Sequence, residues 1–213
     1  MRIGLISDHP ASPDVTCQSD FGILRQHVVA LAEQDLPAFW LSSTDAAEVL
    51  RDDPALVPEG VDRLPATCRY VVPCQPYRFA GVPLFCVDRT LWQQRSLHTR
   101  LFTFLCLLQR ELPSAVWHVW GNVSVTFLTV YTACFLGVPI VASYHAACIA
   151  QGSLLSFEWQ WIARHVSMAM VTNPADHERL VATGAYPSTR VCLSDPASAT
   201  IALYQRLHGS ESV

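Results

Sequence analysis

Short apolar runs alternate along the chain with longer segments in which apolar residues recur every three or four positions. The runs predict buried strands and the longer segments predict helices. Strands alternating with helices are typical of an α/β protein with a doubly wound, mostly parallel sheet of the Rossmann-like kind, so we expect that fold class. The predicted strands are residues 2–7, 38–41, 69–72, 84–87, 116–119, 139–143, 167–172 and 190–193. The predicted helices are residues 20–33, 45–51, 89–112, 123–136, 154–163, 174–183 and 196–207.

The central unit of this pattern is a strand, helix and strand between Val116 and Ser143. It lies inside a longer run, Leu112–Phe157, that contains no Asp, Glu, Lys or Arg. Near-continuous apolar sequence is expected where a parallel sheet is covered on both faces. A membrane span, which needs about 20 apolar residues, is the alternative. Breaks such as Asn122 and Gly137 leave no uninterrupted piece of that length, so we favour the buried β-α-β unit.

A histidine stands at or just past the carboxyl end of each strand of this unit, His118 and His145. Ligands of open α/β sheets bind at the carboxyl edge, so both histidines are candidate site residues. The alternative for each is a core histidine whose ring is satisfied by the backbone. A substitution separates the two for His118, because His118→Ala would weaken ligand binding in the first case and unfold the protein in the second.

The first strand, loop and helix suggest a second group of candidates. Asp8 and His9 follow the first strand, and Gly22 lies at the start of the first helix. A helix N-terminus with a nearby glycine favours a bound anion. The G-x-G-x-x-G pattern of dinucleotide-binding proteins is missing, so that class of site is not supported. An ordinary loop turn before Pro10 and a plain helical glycine are the alternatives.

The amino-acid composition limits the functions and the cellular locations that we expect for this chain. The chain has 213 residues, 15% charged residues and a net charge of −4, which gives no reason to expect nucleic-acid binding. All basic residues are arginines and they are scattered. The eight cysteines include no C-x-x-C pair, so we expect no metal site and reduced thiols. The N-terminus lacks the apolar stretch of a signal peptide, and a cytoplasmic location is expected.

Several segments together resemble the N-terminal domain of family 4 glycosyltransferases, which have the two-domain GT-B fold. The opening MRIGLISDHP is similar to the first strand and loop of the family. LPSAVWHVWG is similar to its "pDvvHxH" strand end, and LGVPIVASYHA is similar to its "GxPxvxTxH" strand. The similarity runs in order through residues 1–193, which we assign to one such domain. Residues 194–213 are assigned to a C-terminal capping helix and tail.

The resemblance implies an acceptor-side domain and suggests roles for individual residues. Among relatives, a histidine at the place of His118 lies near the transferred sugar, so His118 is the catalytic candidate. The remaining candidates for acceptor or substrate binding are Asp8, His9, Gly22, Trp120, Gly121, Asn122 and His145. No cofactor is implied, because the nucleotide-sugar donor would be a substrate.

Departures from the family pattern leave two functions open. The usual Gly-Gly of the first loop is absent, Ala115 replaces the Asp of "pDvvH", and Trp120 stands where many members have a second histidine. Residues after Leu193 are too few for the second domain, which in the family binds the nucleotide-sugar. One function is hexosyl transfer completed by a separate donor-binding half, and the other is a non-catalytic binding module that kept the fold.

The resemblance also predicts association. Without a second domain, loops carrying Trp120, Tyr144 and Ala146–Ile149 are expected to face water, and such an apolar patch favours a partner. We expect a donor-binding subunit or a second copy of the chain. A membrane surface carrying a lipid-linked acceptor ranks lower, because the chain is acidic.

Overall fold

Nine strands join into one sheet in the part of the chain that the computed structural model describes, which is residues 1–8, 20–60, 64–121, 123–144, 156–193 and 197–209. Their order across the sheet is β3-β4-β5-β2-β1-β6-β7-β8-β9, and all pairings from β5 to β9 are parallel. The predicted fold class is therefore confirmed. The strands are β1 (Ile3–Ser7), β2 (Ala38–Ser43), β3 (Leu56–Pro58), β4 (Cys74–Phe79), β5 (Val82–Val87), β6 (Val116–Trp120), β7 (Ile140–Ser143), β8 (Met168–Val171) and β9 (Val191–Leu193).

Helices cover both faces of the sheet. They are α1 (Asp20–Glu33), α2 (Thr44–Val49), α3 (Thr90–Gln93), α4 (His98–Glu111), α5 (Val123–Leu136), α6 (Phe157–His165), α7 (Pro174–Ala182) and α8 (Ala197–Gly209), with short 3-10 helices at Arg95–Leu97 and Ser188–Arg190. Helices α1, α2 and α8 lie on one face, and α3 to α7 lie on the other. The last helix thus packs onto the sheet beside the first.

The two faces are named here after neighbouring residues of β6. The His118 face carries His118 and Trp120 of β6 beneath α1 and α8, and the Trp117 face carries Trp117 and Val119 beneath α4 to α6. Both faces follow from the alternation of side chains along a strand. Each face has its own apolar core, so the sheet is buried on both sides as the apolar runs predict.

The charge-free run is divided at Gly137, which separates α5 from β7. Helix α5 ends at Leu136, and Gly137 adopts a left-handed φ of 67°, a backbone conformation that suits glycine. Val138 N then donates to the carbonyl of Ala133 at 2.9 Å, which closes the last turn. Among the described residues, no helix has the length and apolar character that a membrane span requires.

Helix α7 begins as its sequence predicts. The Asn173 side chain accepts a hydrogen bond from Asp176 N at 2.8 Å, and Pro174 occupies the first helical position. The missing N–H of proline costs nothing there, and the asparagine satisfies one of the otherwise unpaired amides of the first turn. Asn173 is therefore the N-terminal cap of this helix.

Between α2 and α3, the predicted strand 84–87 is confirmed as part of β5, but the strand predicted at residues 69–72 is wrong. Residues 69–72 form turns, and the strand is instead Cys74–Phe79, which pairs antiparallel with β5 and with the unpredicted strand β3. The turn between β4 and β5 has positive φ at Ala80 (48°) and Gly81 (86°). Two positive φ values are typical of a tight hairpin turn, but Ala at the first position hid the signal.

One long helix over residues 89–112 was also predicted, and the structure divides it. Helix α3 stops at Gln93, because Gln94 is extended with φ −94° and ψ 110°. A 3-10 turn follows, and α4 then continues to Glu111 with four buried apolar residues on one side. The apolar spacing predicted the buried face of α4 correctly but could not show the interruption.

A candidate site at the carboxyl edge of β1 and β6

The sheet reverses its direction of growth between β1 and β6. The chain leaves β1 through α1 on the His118 face and forms β2 on one side. It later returns through α4 on the Trp117 face and forms β6 on the other side of β1. The carboxyl edge at such a reversal is where open α/β sheets bind ligands, because the loops diverge there and leave a crevice.

Asp8 and Gly121 come directly after β1 and β6 and meet at this point. Asp8 N donates to the carbonyl of Trp120 at 3.3 Å, and the Asp8 side chain is only 6% exposed. A Cβ placed on Gly121 would lie 3.0 Å from Asp8 Oδ1 and 2.9 Å from Val125 Cγ1. Glycine therefore lets the Asp8 carboxyl group lie directly against the backbone that ends β6. Two of the predicted candidates are brought together here.

His118 lies deeper than predicted, because β6 extends to Trp120 and places the histidine inside the strand. Its ring is fully buried, Nε2 is 2.8 Å from Ser143 Oγ, and Nδ1 is hydrogen-bonded to the Tyr204 hydroxyl. Burial, and secondarily the neighbouring His27, hold the pKa of His118 well below its ordinary value of 6.5. The ring is therefore neutral near pH 7, and two side-chain hydroxyls, rather than the backbone, satisfy it.

Three strands carry a buried serine at or next to their carboxyl ends, on the same face of the sheet as His118. Ser7, Ser42 and Ser143 end or nearly end β1, β2 and β7, and all are buried on the His118 face. Ser7 Oγ lies 2.9 Å from Ser42 Oγ and accepts a hydrogen bond from Trp40 Nε1 at 2.9 Å. The His118 face thus carries buried hydroxyl groups near the carboxyl edge, and that of Ser143 contacts His118.

The sequence analysis missed these serines and Tyr204. One signal was present, since the apolar runs RIGLIS, AFWLSS and IVAS all finish on serine. Serine at the last positions of several parallel strands predicts hydroxyls at one edge of the sheet. No comparable signal pointed to Tyr204, which is 86 residues from His118 along the chain.

Two aromatic residues expected to face water are buried, which corrects that prediction. Trp120 is 1% exposed and stacks on the His118 ring with centroids 3.4 Å apart. Tyr144 is 2% exposed, packs against Trp159 at 5.0 Å between centroids, and shares a hydrogen bond with the Tyr186 hydroxyl. The described part of the carboxyl edge therefore exposes less apolar surface than the sequence suggested.

Of the remaining candidate site residues, the structure describes Gly22 but not the other three. Gly22 is buried in the first turn of α1. His9, Asn122 and His145 lie outside the described residues, as does the segment Ala146–Ile149. Within the described ranges, no three side chains of His, Cys, Asp or Glu cluster as metal ligands do.

The architecture of this chain is similar to that of known proteins, although its sequence is not. No family model and no curated protein matches the sequence. Solved structures do match. UDP-N-acetylglucosamine 2-epimerase from Rickettsia bellii aligns with a TM-score of 0.55 at 10% identity, over 94% of this chain and 46% of that one. The chain has the fold of one half of a GT-B enzyme.

Two further solved structures show the same similarity in fold. UDP-GlcNAc 2-epimerase from Neisseria meningitidis, bound to UDP-GlcNAc, aligns with a TM-score of 0.53 at 10% identity over 91% of this chain and 46% of that chain. The S. aureus MnaA–UDP structure aligns with a TM-score of 0.55 at 14% identity over 95% and 46%. The chain therefore spans about half the length of the solved structures that it matches, and identities this low establish the fold alone.

Proposed function

We propose that this chain is the acceptor-side half of an enzyme that transfers a sugar from a nucleotide-sugar, and that a donor-binding half completes it. The observation that supports this most is the meeting of Asp8 and Gly121 at the reversal point of a GT-B half. The matching solved structures include complexes with UDP-GlcNAc and UDP, which supports a nucleotide-sugar as the donor. A family 4 glycosyltransferase, rather than an epimerase, is the finer assignment that the sequence motifs favour.

Asp8 is the residue that we propose binds the acceptor. A carboxylate oxygen accepts hydrogen bonds from sugar hydroxyls, and the tight contact with Gly121 fixes its position. A fixed acceptor matters because displacement at an anomeric carbon requires both reactants to be held in line. The donor would be held by the second half, whether that half continues this chain or is a separate polypeptide.

His118 has a different place in this proposal. Both of its ring nitrogens are occupied by hydroxyls, and its ring is sealed beneath Trp120 and α8. A catalytic role, which stays a prediction, would require substrate to replace Ser143 or Tyr204 at the ring. In the arrangement described, His118 packs against Trp120, and the Trp120 carbonyl accepts a hydrogen bond from the Asp8 amide.

The burial of His118 favours a second candidate function. A non-catalytic binding module would keep the GT-B half and its edge, and would have no need of an acid or base facing the crevice. The two functions differ in one observable, because only the enzyme half would yield transfer when its donor half is added.

Isothermal titration calorimetry with UDP-GlcNAc tests the proposal. The chain alone is expected to bind the nucleotide-sugar no more than weakly, and a mixture with a donor-binding polypeptide that completes it is expected to bind it and transfer sugar. Asp8→Asn should lower transfer in the mixture, whereas Asp52→Asn, a change in the acidic loop after α2, should not. Tight binding of UDP-GlcNAc by this chain alone would contradict the division of roles.

A further inference from the structure

Helix α5 exposes an aromatic face where a solvent-facing helix normally carries polar residues. Phe127, Tyr131, Cys134 and Phe135 recur at spacings of four, three and one, and so lie along one side of the helix. Tyr131 is 50% exposed and Phe135 is 68% exposed. These four residues are called the α5 outer face below.

Neighbouring helices extend this face rather than interrupt it. Phe102 of α4 packs against Phe135 at 5.4 Å between ring centroids, and Trp161 of α6 packs against Phe127 at 4.9 Å. Phe157, at the start of α6, is 75% exposed. The rings hold one another in place, so the face is a preformed surface and its aromatic side chains lose little freedom on binding.

The composition of α5 sets it apart from the helix beside it. None of its 14 residues is charged, and its apolar residues surround the helix. Helix α4 packs on the same side of the sheet, yet its exposed positions include Thr99, Arg100 and Arg110. A helix that is apolar all round is normally buried, which indicates that something covers α5 in the assembled protein.

A cavity of about 280 Å³ lies at the N-terminal end of this face. Its lining includes Arg95, His98, Val123, Phe127, Phe157 and Glu158. Phe135 projects at the other end of α5, about 18 Å away from Val123 at 1.5 Å per residue. One surface thus carries an apolar projection at one end of α5 and, at the other end, a recess whose apolar lining comes from Val123, Phe127 and Phe157.

From these features we infer that α5 is the dimerisation surface for a second copy of this chain, with the two α5 helices antiparallel. A two-fold interface needs a surface complementary to itself, and antiparallel helices place Phe135 of each copy at the recess of the other. The arrangement opposes no like charges along α5, because that helix has none. The nearby Arg95 and Glu158 already pair at 3.9 Å.

The area available fits this occupant. Each exposed aromatic residue offers on the order of 100–150 Å². Tyr131, Phe135 and Phe157 together supply roughly half of the ~800 Å² per partner of a standard interface, and the half-buried rings and α6 surface supply more. The inference rests on the exposed rings of α5 and α6 and does not depend on the proposed function.

Sedimentation velocity of the 213-residue chain over a wide concentration range tests the inference. We expect a species of twice 23.6 kDa, and we expect Phe135→Glu to weaken self-association by roughly thirty-fold or more, as for loss of one hot-spot side chain. Tyr70→Glu is the matched control, because Tyr70 is 92% exposed on a turn elsewhere. It should leave the dimer intact. A monomer at all concentrations, or a dimer equally sensitive to both changes, would overturn the inference.

Chemical cross-linking of the natural chain avoids dependence on a folding-sensitive variant. Cys134 is an exposed thiol on the α5 outer face. In the antiparallel arrangement its two copies lie about 15 Å apart along the helix axis, so a bis-maleimide with a long, flexible spacer should link them. Cys134→Ser should abolish that product. Equal cross-linking of the Cys134→Ser protein would show that the contact between copies lies elsewhere. A monomer that binds phosphatidylglycerol vesicles through Phe135 would show that the face contacts membranes instead. Either result would reject the α5 dimer.

Discussion

The two faces of β6 arise from alternate residues of one five-residue strand, yet they are held together differently. Trp117 and Val119 pack into an apolar core beneath α4 to α6, where the Trp117 indole finds one partner, Gln109 Oε1, at 3.0 Å. His118 and Trp120 instead lie in a layer of hydroxyls and rings beneath α1 and α8. The difference teaches that this strand is apolar in pattern on both sides, but its His118 ring has two hydroxyl partners on one side and its Trp117 indole has a single amide partner on the other.

The largest expected effect of a substitution on β6 is on the polar side. His118→Ala should lower the free energy of unfolding by about 4 kcal/mol, because it leaves a cavity and removes the partner of two buried hydroxyls. Val119→Ala, the matched change on the apolar side, should cost about 2 kcal/mol. Urea denaturation of both variants measures the difference. Equal losses would show that the hydroxyl partners contribute nothing.

A glycine on the Trp117 face gives the next largest effect. A Cβ on Gly4 would lie 2.8 Å from Phe39 Cζ and 2.8 Å from Trp117 Cδ1, and both rings are fully buried. Gly4→Ala should therefore cost about 2 kcal/mol through overpacking. Gly209→Ala is the control, because nothing lies within 4 Å of its Cβ position. A neutral Gly4→Ala in thermal denaturation would mean that the apolar face tolerates repacking.

These contrasts show how far sequence alone could reach. The β6–α5–β7 unit was predictable, because apolar runs and Gly137 are local signals of burial and of a helix end. The cap at Asn173 was predictable for the same reason. The β4–β5 hairpin was missed, because Ala80 adopts a positive φ that alanine rarely takes.

The candidate site was predictable only in part. Its edge location follows from strand order, so Asp8 and Gly121 could be named from the sequence. The depth of His118 could not, because it depends on Tyr204, a residue brought close by the packing of α8 across the sheet. A long-range contact of this kind leaves no periodic trace in the chain.

Acidification should weaken the polar face selectively. The pKa of His118 is lowered well below 6.5 in the folded protein, so below pH 6.5 the unfolded chain binds more protons at this residue. Its stabilising contribution is complete above about pH 6.5 and is lost as the pH falls, by up to about 1.4 kcal/mol per pH unit. Urea titrations at several pH values measure the slope, and His118→Gln should flatten it. An unchanged slope in that variant would assign the dependence to other groups.

The smallest expected change in the free energy of unfolding comes from removing a single buried hydroxyl group. Tyr204→Phe keeps the ring in the core and removes only the partner of His118 Nδ1, so a loss of about 1 kcal/mol is expected. Tyr131→Phe removes a hydroxyl from an exposed ring and should change the free energy of unfolding by almost nothing. Differential scanning calorimetry on the two variants makes the comparison. Indistinguishable melting temperatures would show that the hydrogen bond between Tyr204 of α8 and His118 of β6 does not stabilise the protein.

Amide NMR tests most directly whether the meeting point of Asp8 and Gly121 binds the acceptor sugar, as we propose. Titration of the labelled chain with glucose, mannose and N-acetylglucosamine should shift the Asp8 and Gly121 amide resonances and leave those of Gly81 and Gly209 in place. Gly121→Ala should suppress the shifts, because its Cβ would displace the Asp8 carboxyl group or Val125. Shifts that map to another surface, or that persist unchanged in Gly121→Ala, would contradict the claim.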